Sequence, residues 1–158
     1  MIATTGIGWD SHRFAPGRPL ILGGVEIPSE LGLEGHSDAD VLTHAIVDAL
    51  LGAAGLGDIG QHFPDTDERW RGADSMDLLR AVLGEVASAG WAVVHVDVTV
   101  MLERPKLAPH RDAIRDSLAA VLGSVNVKFT TGEKMGFVGR EEGAAALAVA
   151  TLAPVSSP

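Results

Sequence analysis

The chain contains no cysteine, few aromatic residues and fewer basic than acidic side chains. The absence of cysteine excludes disulfides and thiolate zinc sites, and it suits a reducing cytoplasm, where we expect the protein to be located. No apolar run reaches the ~20 residues that a membrane-spanning helix needs. The N-terminus also lacks a basic segment followed by an apolar one, so we expect neither export nor a membrane partner.

Positive charge is scarce: 12 lysine and arginine residues stand against 21 aspartate and glutamate residues, for a formal net charge of -9. A nucleic-acid partner is therefore not expected, because it would need a general basic field. A phosphorylated ligand would need metal ions or locally clustered cations. With 158 residues, 46% of them hydrophobic, residues 1–158 are expected to form a single domain with its own core.

A candidate metal site is the most informative feature of the sequence. In an extended strand, Asp10 and His12 point to the same side, because side chains two residues apart share a face. His44 lies on a predicted helix that begins near residue 38. One carboxylate and two imidazoles suit zinc, with a fourth position left for water or substrate. The alternative is a strand end with a polar rim and a helix that carries surface histidines.

The segment 36–44 has the features of a helix start. Ser37 can cap the helix, with Asp40 three residues later as in a capping box. His44 lies one turn after Asp40 and one turn before Asp48, so the three side chains share a face. Asp40 or Asp48 is therefore expected to orient His44 through a hydrogen bond behind the metal.

Two further segments are candidates for ligand binding. Residues 55–74 form a long polar loop in which Asp58, Asp65 and Asp67 could bind a hydroxylated or phosphorylated ligand. Aspartates that form turns beside glycine and proline are the alternative. Residues 130–143 combine hydroxyls, glycines, carboxylates and two cations, as in a phosphate-and-metal loop, although a plain glycine-rich turn fits the same composition.

Hydrophobic periodicity predicts an α/β (α+β) sandwich, with a mixed sheet of about four main strands and helices on one face. The last strand, 144–152, is apolar throughout, so we expect its second face to be buried between subunits. The tail 154–158 is expected to fray. The predicted elements are strands 2–8, 91–103, 125–129 and 144–152, a hairpin of 20–22 with 25–27, and helices at about 38–54, 74–89 and 109–122.

Seven motifs together resemble the 2-C-methyl-D-erythritol 2,4-cyclodiphosphate synthase family. They occur in the family's order and cover essentially the whole chain, so the set is far more specific than any one motif. The motifs are Gly-Trp-Asp-Ser-His at 8–12, His-Ser-Asp-Ala-Asp at 36–40 with His44, Gly-Leu-Gly-Asp-Ile-Gly at 55–60, Phe-Pro-Asp-Thr-Asp at 63–67, Arg-Pro-Lys at 104–106, Thr-Thr-Gly-Glu-Lys-Met-Gly at 130–136 and Gly-Arg-Glu-Glu-Gly at 139–143.

The resemblance implies a reaction, cofactors and an assembly. The family cyclises 4-diphosphocytidyl-2-C-methyl-D-erythritol 2-phosphate and releases CMP in the non-mevalonate isoprenoid pathway, which makes it a phosphorus–oxygen lyase. One Zn²⁺ per subunit is implied, together with Mg²⁺ or Mn²⁺ that binds with the substrate. The resemblance further implies a homotrimer with active sites between subunits, in agreement with the apolar last strand.

Roles follow from the resemblance position by position. Asp10, His12 and His44 correspond to the zinc ligands, Glu133 to the ligand of the second metal, and His36 and Thr131 to residues of the catalytic centre. The expected substrate-binding residues are Ser37 for the 2-phosphate; Asp58, Ile59, Gly60, Phe63, Pro64, Asp65, Thr66 and Asp67 for the methylerythritol part; Leu102, Glu103, Arg104, Pro105, Lys106, Leu107 and Ala108 for cytidine; Thr130 and Gly132 for the diphosphate; and Phe137 and Arg140 near the trimer axis.

Three positions depart from sequences typical of the family. Ala39 stands where glycine is frequent and is expected to be a mild change on a helix. Gly132 replaces a threonine and removes a hydroxyl beside Glu133. Trp9 replaces a phenylalanine and changes the volume of whatever it lines.

Arg140 is the candidate for a second ligand site. Three copies of Arg140 in a trimer would converge near the axis and attract an anion. The resemblance implies an apolar channel there that can hold an isoprenoid diphosphate, with Phe137 and Trp9 in its wall. The alternative is that Arg140 pairs with Glu141 or Glu142 across the interface.

Two other functions are compatible with the residues alone. A zinc phosphohydrolase would use the same aspartate and histidines, but it would activate water and give an open-chain product. A trimeric, metal-stabilised binding module would instead need a closed zinc shell.

Overall fold

The computed structural model describes residues 2–155. Every helix and strand predicted from the sequence is present, and α2, α5 and β4 are additional because three or four residues carry too little periodicity to be predicted. Residues 156–158 of the expected frayed tail lie outside the described residues. The elements are β1 (Thr4–Pro16), β2 (Leu20–Leu22), β3 (Val25–Ile27), β4 (Leu31–Leu33), α1 (Val41–Ala54), α2 (Ile59–His62), α3 (Ser75–Ser88), β5 (Trp91–Met101), α4 (Arg111–Leu122), β6 (Val125–Thr130), α5 (Gly136–Gly139) and β7 (Gly143–Pro154), with 3₁₀ turns at Glu68–Trp70 and Ala108–His110.

The main sheet has five strands in the order β4-β1-β7-β5-β6. β7 is antiparallel to both β1 and β5, whereas β5 and β6 are parallel, so the sheet is mixed as predicted. It exceeds the expected four or so strands because β4 adds a three-residue edge to β1. β2 and β3 form the predicted hairpin as a separate pair. β1 continues well past residue 8, which keeps Asp10 and His12 in extended backbone.

Helices α1, α3 and α4 contribute to a single core on one face of the sheet. Val96, Val98 and Val100 alternate along β5 and are fully buried on that face. Leu42 and Ile46 of α1 are likewise fully buried, since α1 lies directly against β1 and β7. Among the helices of residues 2–155, none is long and apolar enough to cross a membrane.

The opposite face of the sheet is apolar and exposed in the single chain. Ile7 is paired with Val149, and Trp9 with Leu147, on neighbouring strands. These four side chains are 36–66% exposed. In the single chain, one face of β7 therefore packs under α1 and the other presents an apolar stripe. Burial of that stripe between subunits stays a prediction.

Two glycines in β1 allow α1 to lie against it. A Cβ on Gly8 would stand 1.9 Å from the carbonyl oxygen of Ala45, and one on Gly6 would stand 2.1 Å from that of Ala49. The distance between β1 and α1 sets where Asp10 and His12 meet His44. Glycine at these positions is thus a requirement of the site as well as of the core.

Gly8→Ala should destabilise the protein by about 3 kcal/mol or more, because neither backbone can yield to a methyl group. The loss of stability is measured as a lower urea concentration at the unfolding midpoint, with an unchanged dependence of the unfolding free energy on urea. Gly84→Ala in α3 is the matched control: its added Cβ meets no atom within 4 Å, so a small gain from helix propensity is expected. An equal midpoint for Gly8→Ala and wild type would contradict the close packing.

Candidate metal centre and substrate clefts

Asp10, His12 and His44 converge where the first turn of α1 meets β1. Asp10 Oδ2 lies 2.8 Å from His12 Nε2 and 3.1 Å from His44 Nδ1. The two ring nitrogens lie 3.3 Å apart. Ligands of tetrahedral zinc stand about 3.3 Å apart when the bonds are about 2.0–2.1 Å long. The three predicted ligands are therefore assembled at a spacing that fits a small metal ion.

The protonation of His12 follows from its partner on the far side of the ring. Nδ1 of His12 lies 2.9 Å from the backbone oxygen of Glu34. A carbonyl oxygen only accepts hydrogen bonds, so Nδ1 carries the proton of the neutral ring, and Nε2 then offers a lone pair to a metal ion beside Asp10. A lone pair that faces a carboxylate at this distance calls for a cation between them. This donor set fits zinc.

The electrostatics of the cluster also favour positive charge. Burial alone would raise the pKa of Asp10, but hydrogen bonds and charge from His12 and His44 lower it to about 2. Burial would lower the pKa of His44, yet the hydrogen bond and the charge of Asp10 outweigh burial and raise that pKa. The Asp10 carboxylate thus stays ionised and attracts a metal ion to the two rings.

Asp40, not Ser37, is the N-cap of α1. The Asp40 carboxylate accepts hydrogen bonds from the backbone N–H of Gly23 and Gly24, at 3.0 and 2.8 Å, and from the N–H and hydroxyl of Thr43. Burial raises the pKa of Asp40 in spite of these donors. The expected Ser37 cap was wrong because the hairpin turn at Gly23–Gly24 holds the carboxylate of Asp40 at the helix start.

Neither Asp40 nor Asp48 orients His44, which corrects the expectation from helical spacing. Asp48 accepts a hydrogen bond from the backbone N–H of Ile59 at 3.1 Å and so ties α2 to α1. The Nε2 atom of His44 instead lies 2.7 Å from Ser75 Oγ and 3.1 Å from Ser37 Oγ. Ser75 opens α3, and sequence reasoning missed it because the contact depends on how α3 packs against α1.

The metal cluster opens into a cleft of about 510 Å³. The lining includes Trp70 and Leu78, which sequence reasoning missed. The available signals were an aromatic residue in a polar loop and an apolar residue beside the main stripe of α3. The predicted residues that line the cleft are Asp10, His12, His36, Ser37, His44, Ile59, Gly60, Phe63, Pro64 and Asp65.

Three predicted residues of the 55–74 loop lie outside the lining of this cleft. Asp58 caps α2 in a capping box with Gln61. Asp67 receives hydrogen bonds from Arg69, which lower the pKa of its carboxyl, and its backbone oxygen lies 3.1 Å from His36 Nε2. Thr66 is exposed. Both aspartates therefore make turn contacts, and His36 is held in place by the loop.

A second cavity, of about 180 Å³, forms where β5 ends. Arg111 and Phe129 also line it, with the guanidinium carbon 4.9 Å from the ring centre of Phe129. Sequence reasoning missed both, although an aromatic residue just before Thr130 was a usable signal. The predicted residues in the lining are Leu102, Glu103, Pro105, Lys106, Leu107, Ala108, Thr130 and Thr131.

Glu103 fixes the loop that carries Glu133. Its carboxylate accepts hydrogen bonds from the backbone N–H of Gly132 at 2.9 Å and of Lys134 at 3.3 Å. The N–H of Glu133 donates to Thr131 Oγ1 at 3.2 Å. Glu133 itself is exposed and has a left-handed backbone, with φ of 52°. Within the described chain, Glu133 is not part of the metal cluster formed by Asp10 and its partners.

Arg104, Phe137 and Arg140 lie outside both clefts. Arg104 pairs with Glu141, at 2.8 Å between Nε and Oε1, and borders a separate groove. Arg140 Nη2 lies 2.9 Å from Glu142 Oε2, and its side chain is 64% exposed. Arg140 thus forms an ion pair within its own chain.

Residues 3–153 match the model of the YgbB family. The chain belongs to the YgbB family. It is 62% identical over 152 residues to a protein of Symbiobacterium thermophilum named 2-C-methyl-D-erythritol 2,4-cyclodiphosphate synthase, with 94% of this chain and 97% of that one covered. A protein of the same name from Salinibacter ruber is 60% identical over 151 residues, covering 93% and 96%. The resemblance inferred from the seven motifs is confirmed.

Solved structures of family members have the same fold. A structure of 2C-methyl-D-erythritol-2,4-cyclodiphosphate synthase is 45% identical, with a TM-score of 0.87 over 94% of this chain and 99% of the other. The bifunctional IspDF of Campylobacter jejuni gives a TM-score of 0.94 at 44% identity, and this chain spans 43% of its length. A further synthase structure is described as a CDP-bound form.

Each of the three departures from sequences typical of the family has a physical setting here. Ala39 was expected to lie on a helix, but it precedes α1. Its φ is 56°, a backbone conformation that favours glycine. Gly132 occupies a tight turn, since a Cβ there would stand 2.5 Å from the backbone nitrogen of Gly139. A family threonine at position 132 would therefore need a different loop path. Trp9 lies on the exposed apolar stripe of the sheet.

Proposed function

We propose that this chain converts 4-diphosphocytidyl-2-C-methyl-D-erythritol 2-phosphate into 2-C-methyl-D-erythritol 2,4-cyclodiphosphate and CMP. The observation that carries the proposal is the convergence of Asp10, His12 and His44 in a cleft beside His36 and Ser37. The names of the relatives support the same reaction. The proposed enzyme is a phosphorus–oxygen lyase of the isoprenoid pathway.

The lining of the metal cleft supports a division of the substrate among its residues. His36 and Ser37 would hold the 2-phosphate beside the metal cluster. Ile59 and Phe63 give an apolar wall for the methyl-bearing carbon chain, and Asp65 offers an acceptor for its hydroxyls. The substrate contacts expected of Asp58, Thr66 and Asp67 stay predictions.

The proposed reaction brings two anionic groups of the substrate, the 2-phosphate and the diphosphate, together in an acidic protein. A 2-phosphate oxygen attacks the β-phosphorus, forms the ring P–O bond and breaks the bond to the oxygen that leaves with CMP. The nucleophile is already ionised, so no general base is required, and positioning supplies much of the rate. Zinc held by Asp10, His12 and His44, and Mg²⁺ or Mn²⁺ held by Glu133, would offset the charge of the phosphates.

The second cavity supports a nucleotide pocket that spans Leu102–Ala108. Its size and its Arg111–Phe129 wall suit a flat base, because a guanidinium stacked on an aromatic ring offers both an apolar face and donors. Thr131 lines this cavity, where it would meet the diphosphate. A role for Arg104 in cytidine binding stays a prediction, since Arg104 pairs with Glu141.

We further propose a homotrimer in which neighbouring chains complete each active site. The metal cleft and the nucleotide cavity share no lining residue. A reaction that joins the two ends of one substrate requires both, and a neighbouring chain can bring them together. The exposed stripe of Ile7, Trp9, Leu147 and Val149 offers an apolar surface for such packing.

Incubation with the proposed substrate, zinc and magnesium tests the reaction. Phosphorus NMR should show the cyclic diphosphate, and chromatography should show equimolar CMP. An open-chain phosphate product would instead support a zinc phosphohydrolase. X-ray absorption that gives four protein ligands on zinc, unchanged by nucleotide, would support a metal-stabilised binding module.

An isoprenoid diphosphate is proposed as a ligand on the trimer axis, with Arg140 as its anion-binding residue and Phe137 and Trp9 in the apolar wall. Farnesyl diphosphate at about 100 times its Kd should stabilise the wild-type protein by about 2.7 kcal/mol. Thermal unfolding should show this as an upward shift that Arg140→Ala loses. An equal shift in both proteins, or none in either, would remove the proposal.

Two expectations from the sequence stay predictions. One is that residues 1–158 form a single synthase domain. The other is that the protein works in the cytoplasm.

A further inference from the structure

Three residues, His44, Ser75 and Asp38, form a hydrogen-bond network. It starts at the nitrogen of His44 that faces away from Asp10 and His12. His44 Nε2 lies 2.7 Å from the hydroxyl oxygen of Ser75. That hydroxyl donates to Asp38 Oδ1, and the backbone N–H of Ser75 donates to Asp38 Oδ2 at 2.9 Å. Ser75 is fully buried. Asp38 therefore holds Ser75 by two hydrogen bonds, to its side chain and to its backbone.

Proton accounting gives the direction of the contact with His44. A serine hydroxyl has one proton, and that of Ser75 is directed at a carboxylate oxygen, which is the stronger acceptor. Ser75 Oγ can therefore only accept from His44, so Nε2 of His44 carries a proton. In the neutral ring the Nδ1 atom then has the lone pair that a metal ion needs, and it is Nδ1 that faces Asp10 and His12.

Asp38 is itself held in place by the backbone. Its Oδ1 atom accepts from the N–H of Asp40 at 3.1 Å, and its own N–H donates to the carbonyl of Ala73 at 3.2 Å. These contacts link the segment before α1 to the segment before α3. The network of His44, Ser75 and Asp38 thus spans two segments, and backbone hydrogen bonds hold these segments together.

We infer, on the basis of the proposed zinc site, that Ser75 and Asp38 are positioning residues for His44. They hold the imidazole in the tautomer and the orientation in which Nδ1 binds the metal. Hydrogen-bonded partners behind a ligating histidine commonly change metal affinity by about 10–100-fold when removed. Ser37, which also contacts Nε2 at 3.1 Å, remains available on the cleft side for the substrate.

The first test is the tautomer of His44 in the zinc-loaded protein, read from ¹⁵N chemical shifts of the ring. Wild type should show Nε2–H and unprotonated Nδ1. Ser75→Ala should show a mixture, because the acceptor that selects the tautomer is gone. Zinc-loaded wild type with Nδ1–H and a metal-bound Nε2 would overturn the inference, and this result does not depend on whether the variant folds.

The second test is zinc affinity by competition with a chelating dye. Ser75→Ala and Asp38→Asn should each bind zinc about 10–100-fold more weakly, and Ser75→Thr, which keeps the hydroxyl, should restore most of the affinity. Ser117→Ala is the matched control, since it removes a half-buried hydroxyl that donates to Gly23 oxygen at 2.7 Å and is not part of the metal cluster. Wild-type affinity in folded Ser75→Ala would overturn the inference. Zinc binding lost equally in all variants and wild type would count against the proposed function instead.

Discussion

His44→Ala is expected to abolish turnover and to remove stoichiometric zinc while the fold survives. His44 contributes one of three protein ligands, and Asp10 with His12 cannot by themselves hold a catalytic zinc tightly. The side chain lies at the cleft rather than among the core leucines, so its loss leaves the packing of α1 intact. Zinc content by mass spectrometry, rate by CMP release, and fold by circular dichroism measure the three parts of the result.

His110→Ala is the control for this experiment, because His110 stands at the start of α4 and outside the lining of the metal cleft. It should keep zinc and wild-type rate. Full activity with stoichiometric zinc in His44→Ala would show that the metal ligands have been misassigned.

The metal ligands were predictable because each follows from local geometry. Asp10 and His12 share a face through the two-residue period of a strand, and β1 is extended at both positions. His44 follows from the helix start. The partners behind the ligands were not predictable in the same way: Ser75 lies 31 positions from His44, and Glu34 acts through its backbone oxygen. Neither contact leaves a pattern in the sequence.

The role of Asp40 shows how tertiary contacts override a local rule. A serine followed three residues later by an acidic side chain favours a capping box with serine as the cap. In the structure, the N–H groups of Gly23 and Gly24 and the burial of the hairpin make Asp40 the residue that satisfies the most donors. The sequence predicted both the hairpin and the helix, but not that the turn of one would bind the first residue of the other.

The exposed face of the sheet was predictable only in part. The lack of alternation in 144–152 correctly predicted an apolar second face, yet in the single chain that face is open at Leu147 and Val149. A periodicity argument reports that a surface must be covered, not what covers it. In the proposed trimer, neighbouring chains would cover this face.

Glu133→Gln should keep zinc and cytidine nucleotide binding but lose most of the rate, since a neutral amide is a poor magnesium ligand. Glu133 is exposed on a loop that Glu103 fixes through backbone N–H groups, so the substitution should leave the loop path unchanged. Rates measured at limiting magnesium, with zinc content and CDP binding in parallel, separate the second metal from the first. Glu26→Gln, on an exposed position of β3, is the control for loss of one negative charge. An unchanged rate at limiting magnesium would show that the second metal sits elsewhere.

Mixed oligomers of His44→Ala and Glu133→Gln then test whether each site is shared between chains. If one chain supplies His44 and its neighbour supplies Glu133, a cyclic trimer that contains both variants has both residues intact in about a third of its sites. Coexpression of the two inactive variants with different tags, followed by double affinity purification, should therefore recover activity of that order. If mixed oligomers form but stay inactive, His44 and Glu133 act from the same chain. That chain would then have to close the Glu133 loop onto its own metal cleft, and the proposed sharing of the active site would be wrong.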